Sequence, residues 1–202
     1  MGIHVGPVRH HWNYFLALEE DIVQMSRYLE PAAQNFTAYS HELARIIITA
    51  ASEVDVVAKL LCKKTDPSNK ARTIDGYRKA IVPVYEALPG AKVKLPKYGL
   101  LLNPWEQWGQ SDKNPVWWKA YNDVKHHRDT HFSSANLHHA LNAVGGLFIL
   151  LLFLYREEGR SGELSPDPVL FHPEAPFVVD YPFYGKRQAL YFLQGDQLPM
   201  NG

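Results

Sequence analysis

One short stretch of the chain, Trp117 to His131, combines the groups that phosphodiester chemistry uses. Lys125 and Arg128 are cations suited to phosphate oxygens, and His126 and His131 are imidazoles suited to moving a proton near neutral pH. On a helix, Trp118, Asn122, Lys125, His126 and Asp129 share one face, while Trp117, Tyr121, Val124, Arg128 and His131 share the other side. The apolar members predict that the second set packs inward, carrying Arg128 and His131 with it. Further upstream, Glu42, Arg45, Thr49, Ser52 and Glu53 recur at helical steps beside an apolar stripe, with Lys59 near the end of the run. If the two stripes meet, charges held between packed helices need partners, so Glu42 or Glu53 pairs with Lys125 or Arg128. Such a pocket has His126 or His131 as acid or base and Glu53 as the carboxylate that orients it. Lys125, Arg128 and Asn122 hold phosphate, and Glu42 and Arg45 orient or brace the rest. The plainer reading of both stripes is a structural polar network or a solvated surface.

These groups must be positioned by helices. Phe15, Leu18, Ile22, Met25 and Leu29 predict a first helix over about 12–29, with Glu19, Glu20 and Asp21 largely off its apolar face. Leu43, Ile47, Ala50, Val54, Ala58 and Leu61 predict the longest helix, about 36–64, stopped by Asp66-Pro67. A third spans about 73–88, shortened or kinked by Pro83. Residues 91–114 read as irregular, with a short hairpin from Val93-Lys-Leu95 and Leu100–Leu102. Pro115 opens the helix carrying Lys125 and His126, which the pattern continues to about Asp129. Ser133 or Ser134 caps a last helix reaching Glu157, with Gly159 in the stop position. Beyond Gly162, five prolines alternate with Val169-Leu-Phe171, Phe177-Val-Val179 and Ala189–Leu193, which predicts short strands around Gly185-Lys186-Arg187. The expected fold is mainly α: an up-and-down bundle of about five helices over 1–160, with a Pro-rich strand-and-turn extension over 161–202 packed on the same domain.

The chain of 202 residues balances 21 Lys and Arg against 21 Asp and Glu, so no overall field draws it to a polyanion. Any such binding needs a local patch. Lys63-Lys64, Lys70, Arg72, Arg78-Lys79, Lys92, Lys94 and Lys97 cluster in the middle third, where Tyr77, Tyr98 and the tryptophans could stack on bases. The single Cys62 excludes an intrachain disulfide and a thiolate zinc cluster. His127 and His131 have a chelating i, i+4 spacing, but H-E-x-x-H is absent, and no metal or cofactor is expected. G-x-x-x-x-G-K-[ST], G-x-S-x-G and a strand-to-helix G-x-G-x-x-G are absent, which speaks against a P-loop enzyme, an α/β-hydrolase and a dinucleotide-binding domain. Ala140 to Tyr155 is the one apolar run of note. It is shorter than the ~20 residues that span a bilayer and reads as a buried core helix, with a membrane anchor as the rival. The N-terminus lacks a signal-peptide pattern, which sets a cytoplasmic expectation.

The run Tyr121-Asn122-x-x-Lys125-His126-x-Arg128, followed by a long apolar helix, resembles the HEPN superfamily. The preceding helix, Tyr39-Ser-x-Glu42-x-x-Arg45 through Glu53 to Lys59-Leu-Leu-Cys62, adds to the likeness. The resemblance covers about residues 12–157. It implies a compact helical bundle, commonly a homodimer, that either cleaves RNA without a metal or only binds a nucleotide. Asn122, Lys125 and His126 look like the N-x-x-K-H face of such proteins. The chain departs from the catalytic R-x4-6-H pattern of that family, because His131 follows Arg128 too early and His138 and His139 too late. Two functions follow as expectations. One is RNA or nucleotide binding, extending to metal-independent ribonuclease action in a toxin or antiviral defence system. The other is a non-enzymatic helical interaction module.

Overall fold

The computed structural model describes residues 8–110, 112–181 and 188–196. The chain is mainly α with small strands, as its patterning predicts. Among the described residues, four long or medium helices frame the molecule. These are α1 (His10–Met25), α2 (His41–Thr65), α4 (Val116–His126) and α6 (Leu137–Leu154). Shorter helices are α3 (Ile74–Ile81), α5 (Arg128–His131) and α7 (Arg156–Ser161). A three-stranded antiparallel sheet has the order β2 (Leu100–Leu102), β1 (Val93–Leu95), β3 (His172–Pro173). A second antiparallel pair joins β4 (Phe177–Asp180) to β5 (Leu190–Leu193).

Among the described residues, α2, α3 and α6 start where a side chain takes up a free amide. Ser40 Oγ accepts from the Leu43 amide at 3.1 Å, so α2 begins at His41, and Phe36 lies in a preceding turn. Thr73 caps α3 at the Gly76 amide. Asn136 Oδ1, rather than Ser133 or Ser134, accepts from the His139 amide at 3.0 Å and starts α6. Pro83 confines α3 to eight residues. Gly99 turns the β1–β2 hairpin with φ of 62°, a left-handed conformation that only glycine adopts without strain.

α6 is the axis of the core and packs against α2, α1 and α4. It is apolar and long enough to meet the length criterion for a membrane span, yet 83% of that window is buried inside the molecule. Gly146 on α6 lets the indoles close in: a Cβ there would stand 3.0 Å from Trp117 Cζ2. The bare Gly146 carbonyl also accepts from Trp105 Nε1 at 3.0 Å. At the other end, Phe15 stacks on Phe148 with ring centroids 4.9 Å apart.

The extension is pinned by a group that the periodicity of α1 placed off the apolar face. Glu19 is 3% exposed. Its Oε2 accepts from the Val169 amide at 3.0 Å, and its Oε1 accepts from the Leu170 and Phe171 amides at 2.8 and 2.9 Å. Residues 169–171, expected as a strand, therefore satisfy their backbone on a carboxylate. Trp12 Nε1 adds a bond to the Pro166 carbonyl at 3.0 Å. The Gly185-Lys186-Arg187 segment lies outside the described residues.

Candidate nucleic-acid interface

α2 and α4 pack side by side through Val124, Ala44 and Ala135 at one end and Trp118 and Tyr121 further along. Beside this contact, α2 leaves a continuous stripe in solvent: Arg45, Thr49, Ser52, Val56, Lys59 and Lys63, at steps of three and four. The polar stripe foreseen on this helix is therefore real, except at one position. Glu53 leaves it and faces α1, where its Oε1 lies 2.5 Å from His11 Nδ1.

The expected pairing of Glu42 or Glu53 with Lys125 or Arg128 is not formed. Glu42 binds Arg45 at 2.5 Å, and Arg45 also reaches Asp21 at 2.9 Å. The Arg45 bond holds the Glu42 carboxyl below its usual range, and the two carboxylates hold the guanidinium fully charged. The helix carrying the imidazoles also ends early. α4 stops at His126, because His127 takes φ of −136° and ψ of 38°. The helical register is lost there, so Arg128 and His131 are exposed rather than packed inward. Asn122, Lys125 and His126 are exposed as well. No carboxylate lies within ion-pair distance of His126 or His131 among the described residues. His131 Nδ1 instead lies 2.9 Å from the Thr130 hydroxyl.

The structure does gather cations along the α2–α4 seam. At one end, His41, Arg45, Thr49 and Arg128 line a shallow groove of about 290 Å³. Phe132 sits beside it, 4.8 Å from the His41 ring and 5.4 Å from Tyr39, which is 54% exposed. In the middle, Lys125 Nζ donates to the Tyr121 hydroxyl at 3.0 Å. That bond raises the Lys125 pKa above the usual lysine range, with Asp55 on α2 adding to the effect. Asp55 pairs with Lys59 and accepts from the Tyr77 hydroxyl at 2.6 Å. At the far end, the close of α2 and the loop after it form a hollow of about 410 Å³ lined by Lys59, Lys63, Asn69, Lys70 and Arg72. From Arg45 to Lys63 the seam runs roughly 27 Å, at about 1.5 Å per residue.

Five of these cations, Lys63, Lys70, Arg72, Lys125 and Arg128, meet no carboxylate within 4.0 Å among the described residues. Fixed cations in a concave surface focus potential on a phosphate chain even when the net charge is zero. The expected aromatic partners differ from those found. Trp12, Trp105, Trp108, Trp117, Trp118 and Tyr77 are all buried and offer no stacking face, whereas Tyr39, His41 and Phe132 stand at the groove. His41 escaped the sequence reading, although it precedes Arg45 by four residues on the same stripe. No three His, Cys, Asp or Glu side chains converge as a metal set among the described residues.

The chain matches no protein-family model, no curated protein and no solved structure.

Proposed function

We propose that this protein binds single-stranded RNA through its phosphates, along the seam between α2 and α4. The observation that supports it is the set of five cations without carboxylate partners, spread from the Arg45–Arg128 groove to the Lys59–Arg72 hollow. Arg128, Lys125 and the hollow hold successive phosphates, while Tyr39, His41 and Phe132 offer ring surface to bases. Binding of this kind reads backbone charge rather than sequence. The HEPN resemblance favours the same substrate class and a homodimeric, cytoplasmic form with a defence role.

Cleavage asks for more than the seam supplies. Glu53 is committed to His11, and among the described residues neither His126 nor His131 has a carboxylate to orient it. We therefore read the protein as an RNA binder first. The test is fluorescence anisotropy with a labelled oligoribonucleotide in chelator, followed by a denaturing gel of the same samples. Saturable binding that Lys125→Ala/Arg128→Ala weakens supports the proposal, and an intact oligonucleotide on the gel supports the non-catalytic form. A cut strand adds ribonuclease action to the seam. Absence of binding at low salt refutes the proposal and turns attention to a protein partner.

A further inference from the structure

A second hollow, of about 270 Å³, opens between the Phe36 turn, the segment after β2, the start of α4 and the first turns of α6. It shares no residue with the seam and stands independently of RNA binding. Half-buried Phe36 supplies aromatic surface, Trp117 lies in the wall at 2% exposed, and Glu106, Gln107, His138 and Asn142 supply polar groups. Among the described residues, none that lines it is Lys or Arg.

Asn142 is 7% exposed. Its Nδ2 donates to the His138 carbonyl at 2.9 Å, and its Oδ1 accepts no hydrogen bond among the described residues. That oxygen is therefore open to accept from water or from a ligand in the hollow. The His138 ring stands 5.1 Å from Phe36. Burial, and then the neighbouring His139, hold it below the usual imidazole range, so it adds no positive charge at neutral pH.

We propose that this hollow binds an organic cation, a guanidinium or an alkylammonium group. The unengaged acceptor Asn142 Oδ1 and the carboxylate of Glu106 suit a charged donor, and aromatic surface attracts a cation. An anion would meet Glu106 with no cation among the described lining residues to offset it. A purely apolar ligand would cover Asn142 Oδ1 and leave it unpaired. The volume lies at the lower edge of small-molecule sites, which suits a side-chain tip or a small amine rather than a nucleotide. Such a group comes either on a free small molecule or on an arginine or lysine of another chain.

The test titrates the full chain with agmatine, N-acetyl-arginine amide, N-acetyl-citrulline amide and inorganic phosphate. Calorimetry and the NMR signals of the Trp117 indole and the Asn142 side-chain amide are followed. At least one guanidinium probe is expected to bind saturably and move both signals, with the neutral citrulline probe at least tenfold weaker. Tighter binding of agmatine marks a free small cation, and tighter binding of the arginine amide marks a protein-borne one. Glu106→Gln, at an exposed position that keeps the fold, is expected to weaken the better probe about tenfold, and Asn142→Leu supplies a second variant. Equal binding of citrulline, unchanged affinity in Glu106→Gln, binding of phosphate alone, or no binding of either guanidinium probe overturns the proposal.

Discussion

Salt dependence tests the RNA-binding seam quantitatively. Neutralising phosphates releases condensed counterions, and for single strands log K falls against log salt with a slope of about −0.7 per phosphate neutralised. Among the described residues five cations without carboxylate partners line the seam, so the slope for the native protein is about −3.5. Raising salt fourfold, from about 50 to about 200 mM, then weakens binding by roughly 130-fold. Lys63→Ala/Lys70→Ala/Arg72→Ala removes the three that sit in or beside the hollow. The slope drops to about −1.4, and the same salt step costs only about sevenfold. Extrapolated lines meet near ~1 M salt, so the variant binds roughly 100-fold more weakly at about 0.1 M. The three side chains are surface groups, and circular dichroism should show an unchanged fold. Anisotropy titrations at four salt concentrations give both slopes. A variant slope equal to the native one would show that these cations touch no phosphate and would refute the reasoning, whatever the absolute affinity.

Further outcomes follow from particular contacts. Glu19→Ala leaves the amides of Val169, Leu170 and Phe171 without their acceptor, which costs roughly 3 kcal/mol or more. Urea unfolding reads that loss, and hydrogen exchange should show those three amides losing protection before the rest of the bundle. Glu53→Ala removes the contact with His11, so it lowers stability by about 1 kcal/mol and leaves RNA affinity unchanged; a loss of affinity would return Glu53 to the site. Burial depresses the pKa of both His138 and His139 in the fold. Both states are neutral well above the ordinary value of 6.5, so stability is flat there. Below it the unfolded chain takes up protons first, and stability falls with pH until the folded imidazoles also protonate. Urea midpoints from about pH 7.5 to about pH 5 should show this decline, and His139→Gln should flatten it.

The helices were legible because burial imposes its period on the sequence. The stripe Leu43, Ile47, Ala50, Val54, Ala58 and Leu61 runs along α2 as read, and every member is buried. The β1–β2 hairpin was also visible in its two apolar runs around Gly99. Three features escaped for physical reasons. Glu19 is polar by type and buried by partnership, and its partners lie 150 to 152 residues away. The break at His127 has no proline or glycine to announce it, so the wheel carried Arg128 and His131 inward when the structure turns them out. Glu53 sits one residue after Ser52, and the 100° between them is enough to move it from the seam to α1. Of the candidate site, Arg45, Lys125, Arg128 and Asn122 remain on or beside one surface, and the catalytic grouping of Glu53 with a histidine of the α4–α5 stretch does not assemble. The amine-sized hollow draws on several separate segments, a convergence with no local signature.

Mapping where RNA touches the protein tests the seam most directly. An oligoribonucleotide carrying 4-thiouridine is bound at low salt, irradiated and digested, and the crosslinked peptides are identified by mass spectrometry. Docking between α2 and α4 predicts crosslinks within residues 39–49, 59–72 and 121–132, suppressed by competitor RNA. Crosslinks confined to other surfaces, such as residues 101–107 or 169–180, would contradict it.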